Sequence, residues 1–265
     1  MLQNYKIFLY LCNVNWEIIH IDETDSTNQW LTDRRTSESL TNGRVDEGQV
    51  VWTEYQTAGR GCGTNRWESE RGKKLLFSLL ISPEYLPANK QFQLSMAISL
   101  ALVEALGQLV GDLSIKWPND IYWRNGKLAG ILIENTLAGD HIKDCIIGVG
   151  LNVNQQVFVS DAPNPVSLRQ VLGHDVDREK LLRRIIEQYS LLTSPSTPPR
   201  SLQARYRLRL YRREGFYPYR DANGLFEAEL VNVEDDGHLL LRDSSGHERR
   251  YAFKEVQFTQ LLPGL

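Results

Sequence analysis

The chain is poor in the features that announce the commonest chemistries. It has three cysteines, Cys12, Cys62 and Cys145, an odd number with no C-x-x-C spacing. That points to neither a disulfide framework nor a zinc site and fits a reducing cytoplasm. The five histidines are scattered and form no ligand set. There is no G-x-x-x-x-G-K-[ST], no G-x-G-x-x-G opening a helix after a strand, and no H-E-x-x-H, G-x-S-x-G or kinase signature. P-loop, dinucleotide, zinc-protease and serine-hydrolase readings therefore fall away. Long apolar runs are missing as well. Ile7 to Cys12 is apolar but too short to span a bilayer, has only Lys6 before it, and lacks a small-residue cleavage site, so neither a membrane span nor a signal peptide is expected. Nor is there an excess of positive charge. Thirty Lys and Arg against 33 Asp and Glu leave a net charge of −3, which gives no ground for a nucleic-acid or anionic-membrane partner.

What is present is an ordinary globular composition, 42% apolar and 24% charged over 265 residues. That is enough for one large domain and a small one. The most informative stretch is Val50 to Trp67, VVWTEYQTAGRGCGTNRW. Its β-branched start reads as a strand that empties into the loop Gly59-Arg60-Gly61-Cys62-Gly63. Glycines permit positive φ, let backbone N–H groups converge on an anion and keep side chains out of its way. Arg60 adds a planar, permanently charged fork suited to carboxylate or phosphate. Trp67 offers a flat ring, to stack on a base or to pack in a core.

The other segments follow in order. Trp16 to Ile21 predicts a first strand, and Asp22 to Asn28 (DETDSTN) supplies caps for a helix starting near Ser26 or Thr27. From local sequence, helix capping is the favoured role of those two hydroxyls, and binding of a small polar ligand is the alternative. Lys74 to Ile81 (KLLFSLLI) lacks alternation, so it predicts a strand buried on both faces. Phe92 to Val110 carries apolar residues at helical spacing and ends at Gly111. Ile115 to Trp123 predicts a strand broken at Pro118, a bulge that re-aims Asn119 and Asp120. Asn125-Gly126 marks a tight turn before the returning strand Lys127 to Glu134. Lys127 taken alone reads as a solvated lysine after a turn, while Gly130 leaves room for a close approach. Ile142 to Asn154 predicts a buried strand whose Gly148 and Gly150 make sense only if something passes close by. Asp161 to Arg213 is helical in pattern, and its run Arg205, Arg207, Arg209, Arg212, Arg213 predicts a solvated helix face. From Gly215 to Phe258, short alternating runs punctuated by Asn223-Gly224, Asp236-Gly237 and Ser245-Gly246 predict a small barrel appended to the larger domain. The polar residues left over, Gln56, Arg60, Asn119, Asp120, Lys127 and Asn152, suit chemistry run by positioning and charge neutralisation rather than by a protein nucleophile.

Five blocks carry a resemblance: DETDSTN, EYQTAGRG (Glu54 to Gly61), KWPNDIY (Lys116 to Tyr122), KLAGILIE (Lys127 to Glu134) and GVGLNVN (Gly148 to Asn154). In this order and spacing they resemble the catalytic domain of biotin–protein ligases, and the tail from Glu214 to Val256 is similar to the SH3-like domain that follows it. The resemblance implies an α+β fold, a mixed sheet flanked by helices as in class II aminoacyl-tRNA synthetases, over residues 1–213, with a small β-domain at 214–265. It implies formation of biotinyl-5′-AMP from biotin and ATP, Mg²⁺ balancing the triphosphate, and transfer of biotin to a lysine of a biotin carboxyl carrier domain in the cytoplasm. Some relatives carry an N-terminal winged helix-turn-helix. Here too little chain precedes the first strand for one, so no DNA binding by that route is expected; the resemblance leaves room for a homodimer.

By the same resemblance, the biotin pocket would comprise Ser26, Thr27, Asn28, Gln56, Gly59, Arg60, Gly61, Cys62, Lys127 and Gly130, with Ser26, Thr27 and Gln56 on the ureido ring. ATP would meet Arg60, Trp67, Asn119, Lys127 and Asn152. Arg60 and Lys127 would screen the colliding carboxylate and α-phosphate, and Asp120 would orient or deprotonate the acceptor amine. One departure stands out. Relatives commonly follow Gly-Arg-Gly with a polar or basic residue that helps to retain the adenylate, whereas this chain has Cys62-Gly63-Thr64-Asn65-Arg66. The expectation is that Arg66 partly substitutes or that the adenylate is held less tightly; Cys62 is expected to be passive. A lipoate or octanoate ligase and a non-catalytic effector-binding module are the competing readings.

Overall fold

A computed structural model describes residues 16–40, 48–63, 65–83, 86–159, 164–194 and 199–259. The apolar segment Ile7 to Cys12 lies outside them. In chain order the elements begin with β1 (Glu17–Thr24), α1 (Thr27–Leu40), β2 (Gln49–Gln56), β3 (Lys74–Ile81) and α2 (Phe92–Leu106). Next come β4 (Leu113–Lys116), β5 (Asp120–Trp123), β6 (Gly126–Ala138) and β7 (His141–Asn152). Three helices, α3 (Leu168–Leu172), α4 (Arg178–Leu192) and α5 (Pro199–Leu208), lead to β8 (Phe216–Asp221), β9 (Gly224–Val233), β10 (Leu239–Asp243), β11 (Glu248–Tyr251) and β12 (Gln257–Phe258).

The first seven strands form one sheet in the order β1-β2-β3-β7-β6-β5-β4. Only β1 and β2 pair in parallel; the other pairs are antiparallel. β3 is buried along its whole length, as its unbroken apolar run implies, and the period of two divides it between two layers. Leu75, Phe77, Leu79 and Ile81 join the main core with α2 and α4. Leu80 points the other way, where Leu31 of α1 packs with Val51 and Ile146. The result is the expected mixed sheet flanked by helices. No helix among the described residues is long and apolar enough to cross a membrane.

The last five strands form an antiparallel sheet in the order β11-β10-β9-β8-β12. This five-stranded antiparallel sheet is consistent with the expected small SH3-like domain, with no closing pairing between β11 and β12 among the described residues. Its turns fall at the predicted glycines, and Gly224, Gly237 and Gly246 all have positive φ. Buried Tyr219, Leu239, Leu241 and Val256 belong to the same apolar cluster as the main sheet, and Trp117 Nε1 donates to Gly237 O at 2.9 Å. The second sheet is thus packed onto the first.

Three expectations are corrected. α2 ends at Leu106, with Gly107 as its C-cap, because that glycine interrupts the helical pattern before Gly111. The segment Ile115 to Trp123 is two antiparallel strands, not one bulged strand: Trp117 to Asn119 form the turn, with a cis Trp117–Pro118 peptide. The arginine run is not simply solvated. Arg205 pairs with Glu104 of α2, and Arg212 donates to Pro218 O and Thr259 O in the second sheet.

Candidate active site

On the α1 side of the large sheet lies a cavity of about 1020 Å³, walled by the start of α1, the 59–67 loop, the β4–β5 turn and the β11–β12 segment of the second sheet. Its floor is made of residues without side chains. Gly148 and Gly150 are two apart on β7, so they share a face, and Gly130 of β6 is directly opposite Gly150. A Cβ on Gly148 would lie 2.2 Å from Asn28 Oδ1, and one on Gly150 would lie 2.3 Å from Trp67 Cε2. One on Gly130 would lie 2.9 Å from Trp67 Cζ3. The bodies that pass close to this strand are therefore Asn28 and the Trp67 indole, which lies across the glycine pair.

The α1 end is a buried network of hydroxyls and amides. Thr27 donates to Gln56 Oε1 from its backbone N at 2.8 Å and from Oγ1 at 3.0 Å. The side chain of β2 thus caps the helix, and the Thr27 hydroxyl is not a local cap. Ser78 Oγ of β3 lies 2.7 Å from Thr27 Oγ1 and 2.6 Å from Asn28 Oδ1. Asn28 Nδ2 donates to Glu134 Oε2 at 2.6 Å. Ser26 is buried beside them. Together these groups offer the paired donors and acceptors that a neutral polar ring requires.

The middle of the site carries the charge. Arg60 Nη2 pairs with Glu134 Oε2 at 2.8 Å, and Lys127 Nζ with Asp120 Oδ1 at 2.7 Å. Lys127 and Gly130 are three residues apart and would face opposite ways on a regular strand. A register shift between Ile121 and Tyr122, which pair with Ala129 and Lys127, is the bulge that turns Lys127 onto the cavity face. Its Nζ would lie 3.5 Å from a Gly130 Cβ. The bulge exists, but in the β5–β6 ladder rather than at Pro118. Three further lysines, Lys74, Lys116 and Lys254, share the cavity. Lys74, 2% exposed, donates to Glu68 O at 2.6 Å and lies 5.1 Å from the Trp67 ring centroid. Burial pushes its ammonium down to about 8, against the raising influence of Glu68 and Glu70. Burial also lowers Lys116, while Asp120 works in the opposite direction.

All the predicted site residues but one line this cavity. Gly59 is buried under the loop instead. A Cβ there would lie 2.7 Å from Trp67 O, and Gly59 O accepts from Trp67 N at 3.0 Å, so this glycine closes the loop. Cys62 and Arg66 are on the wall. Asn119 Nδ2 is engaged by Ile131 O at 2.6 Å. Asn152 Nδ2 is shared between Lys127 O and Val166 O, and its buried Oδ1 has no partner among the described residues. Sequence reasoning missed Ser78, Lys74, Lys116 and Glu134. Counting by twos along β3 from Lys74 places Ser78 on the Lys74 face; Glu134 closes the KLAGILIE block, and nothing local marked its role.

The residues present fit Mg²⁺ only as a companion of phosphate. Of the carboxylates lining the cavity, Asp120 is paired with Lys127 and Glu68 accepts from Gln155 Nε2, so the described residues offer no carboxylate cage and the phosphates would supply most of the ligands. Glu234, Asp236 and His238 form a cluster of metal-ligand type on the second sheet, but Arg250 pairs with both carboxylates.

A family profile described as the biotin/lipoate A/B protein ligase family matches residues 21–152. The Bacillus subtilis bifunctional ligase/repressor BirA is 32% identical over 230 residues, 83% of this chain and 69% of that protein. The biotin–[acetyl-CoA-carboxylase] ligase of Paracoccus denitrificans is 30% identical over 234 residues, 82% of this chain and 94% of its own length. The chain belongs to the biotin–protein ligase family. Among solved structures, the Aquifex aeolicus biotin protein ligase in complex with biotin and ATP superposes with a TM-score of 0.72 at 25% identity, covering 92% of this ligase-family chain and 99% of that one.

Two predictions follow from the cavity of this family member. Gly150→Ala should displace Trp67 and lower ATP affinity by about tenfold while the far-ultraviolet circular dichroism stays unchanged, a loss of about 1.4 kcal/mol; unchanged affinity would show that the indole seat is dispensable. For Lys74, between about pH 8 and the ordinary 10.5 the unfolded chain keeps a proton that the folded chain releases, so stability rises with pH across that window. Lys74→Met should therefore stabilise the protein at pH 7 by about 1 kcal/mol in thermal melts, with the advantage shrinking toward pH 10. An equal or lower midpoint at pH 7 would contradict this.

Proposed function

We propose that the chain is an ATP-dependent biotin–protein ligase in which Arg60 and Lys127 join the two anions of the first step. The observation that carries this is the convergence of those two cations, one from the loop and one from a bulged strand, on one cavity whose α1 end suits an uncharged urea-like ring. Ser26, Thr27, Asn28 and Gln56 would hold the biotin ureido ring; Gln56 Oε1 is already an acceptor for Thr27, which leaves its Nε2 to donate. The carboxylate would meet Arg60 and the α-phosphate Lys127, exchanging their present partners Glu134 and Asp120 for ligand. Carboxylate oxygen then attacks the α-phosphorus, a C–O–P anhydride forms and pyrophosphate leaves. Magnesium, when bound, balances triphosphate charge.

In the second step a lysine amine attacks the acyl carbon and AMP departs. Asp120, released from Lys127 by the ligand, would orient the amine or take its proton. Trp67 and Asn152 would flank the adenine, with Asn119 beside the nucleotide, and the 59–67 loop would shield the anhydride from water. We assign residues 1–213 to this chemistry and 214–265 to a small second domain. The acceptor would be the carrier domain of a biotin-dependent carboxylase, and the compartment a reducing one, the cytoplasm.

Incubation with ATP, biotin and a carrier domain tests the proposal. Labelling of one lysine with release of AMP and pyrophosphate is expected; label from octanoate or lipoate instead, or no label, would overturn it. Lys127→Ala and Arg60→Ala should each lower the adenylation rate by about tenfold or more, and near-normal rates in both would reject their roles. Arg66→Ala should speed dissociation of the adenylate, whereas an unchanged slow release would show that Arg66 does not replace the missing base at position 62.

A further inference from the structure

The second sheet contributes a cation to the cavity. Between β11 and β12, Lys254 has φ 74, a left-handed conformation that glycine accepts freely and lysine does not. From there the side chain crosses to the Gly-rich loop: Nζ lies 2.7 Å and Cε 3.7 Å from the position a Cβ would take on Gly63. The ammonium fits because residue 63 has no side chain, and Gly63 is itself left-handed at φ 70. Lys254 lines the same cavity as Arg60 and Lys127. Those two are each matched by a carboxylate; Lys254 has no acidic partner among the described residues, and the Phe253 ring lies 5.7 Å from its Nζ to centroid. A second ammonium, Lys116, faces the same segment, 5.5 Å from the Phe258 centroid. Cys62 and Gly63 bring no charge to this part of the loop.

We propose that Lys254 is a phosphate-binding residue through which the second sheet completes the nucleotide end of the cavity, clasping the Gly-rich loop over a phosphate of ATP and of the adenylate. A triphosphate brings more negative charge than two already neutralised cations can match, and an unmatched ammonium held against a glycine loop supplies the difference. The backbone strain at Lys254 is consistent with a side chain retained for its charge. This inference rests on the ATP-dependent reading above.

The test compares Lys254→Gly and Lys254→Arg with the unaltered chain. Glycine suits φ 74, so the first variant removes the ammonium while leaving the turn unstrained. It is expected to fold with an equal or higher thermal midpoint, to raise the KM for ATP or the adenylate dissociation rate by about fivefold, and to bind biotin alone as before. Lys254→Arg should stay near the unaltered values. The inference is overturned if Lys254→Gly leaves both ATP KM and adenylate release within about twofold of the unaltered chain, or if biotin binding without nucleotide falls as much, which would make Lys254 a loop support. If the unaltered chain forms biotinyl-adenylate normally, such a result removes this inference and leaves the ligase reading standing. If the unaltered chain forms none, both fail.

Discussion

Everything in the site turns on two ion pairs that share one face of a sheet. Arg60 and Lys127 are held by Glu134 and Asp120 at 2.8 and 2.7 Å, so each of these two cations carries its own counter-charge. The Arg60 and Glu134 side chains are 41% and 38% exposed, whereas Lys127 and Asp120 are more enclosed, at 23% and 20%. Exchange at Arg60 is cheap, because a half-exposed pair contributes only about 0–1 kcal/mol. A carboxylate or phosphate with better geometry can displace the resident partner. The resident carboxylates keep the cations aimed until then, and in the proposed second step Asp120 is the one that would take a proton when freed.

The backbone makes that arrangement possible. Gly130, Gly148 and Gly150 form a bare strip across β6 and β7 where Trp67 and Asn28 come to rest, and the β5–β6 bulge turns Lys127 toward the strip. Each device weakens the sheet locally, by lost side-chain packing or an irregular ladder. The cost is carried by a core in which β3 is buried from end to end and by a second sheet continuous with the same apolar cluster. Function sits where local order is given up, and stability comes from the layers beneath.

Much of this was legible in the sequence, for reasons that differ by residue. KLLFSLLI announced a doubly buried strand because burial on both faces suppresses alternation, and Asn-Gly or Asp-Gly pairs announced hairpins because their turns require positive φ. Ser26 to Asn28, Gln56, Arg60 and Lys127 were found through ordered blocks; local pattern alone made Lys127 an ordinary surface lysine. The β4–β5 turn was read as a break in one strand because a proline signals interruption without saying whether the chain reverses. Ser78, Glu134 and Lys254 were invisible because their roles arise from residues fifty to two hundred positions away. Lys74 was hidden inside an apolar run that seemed to need no charge.

The central claim concerns where two side chains point once ligand is present. A crystal structure with biotin and a non-hydrolysable ATP analogue tests it most directly. The account predicts that Arg60 and Lys127 leave Glu134 and Asp120 and lie within about 3 Å of the biotin carboxylate and the α-phosphate. Ligand bound in the cavity with both resident ion pairs intact, and both cations turned away from it, would contradict the account.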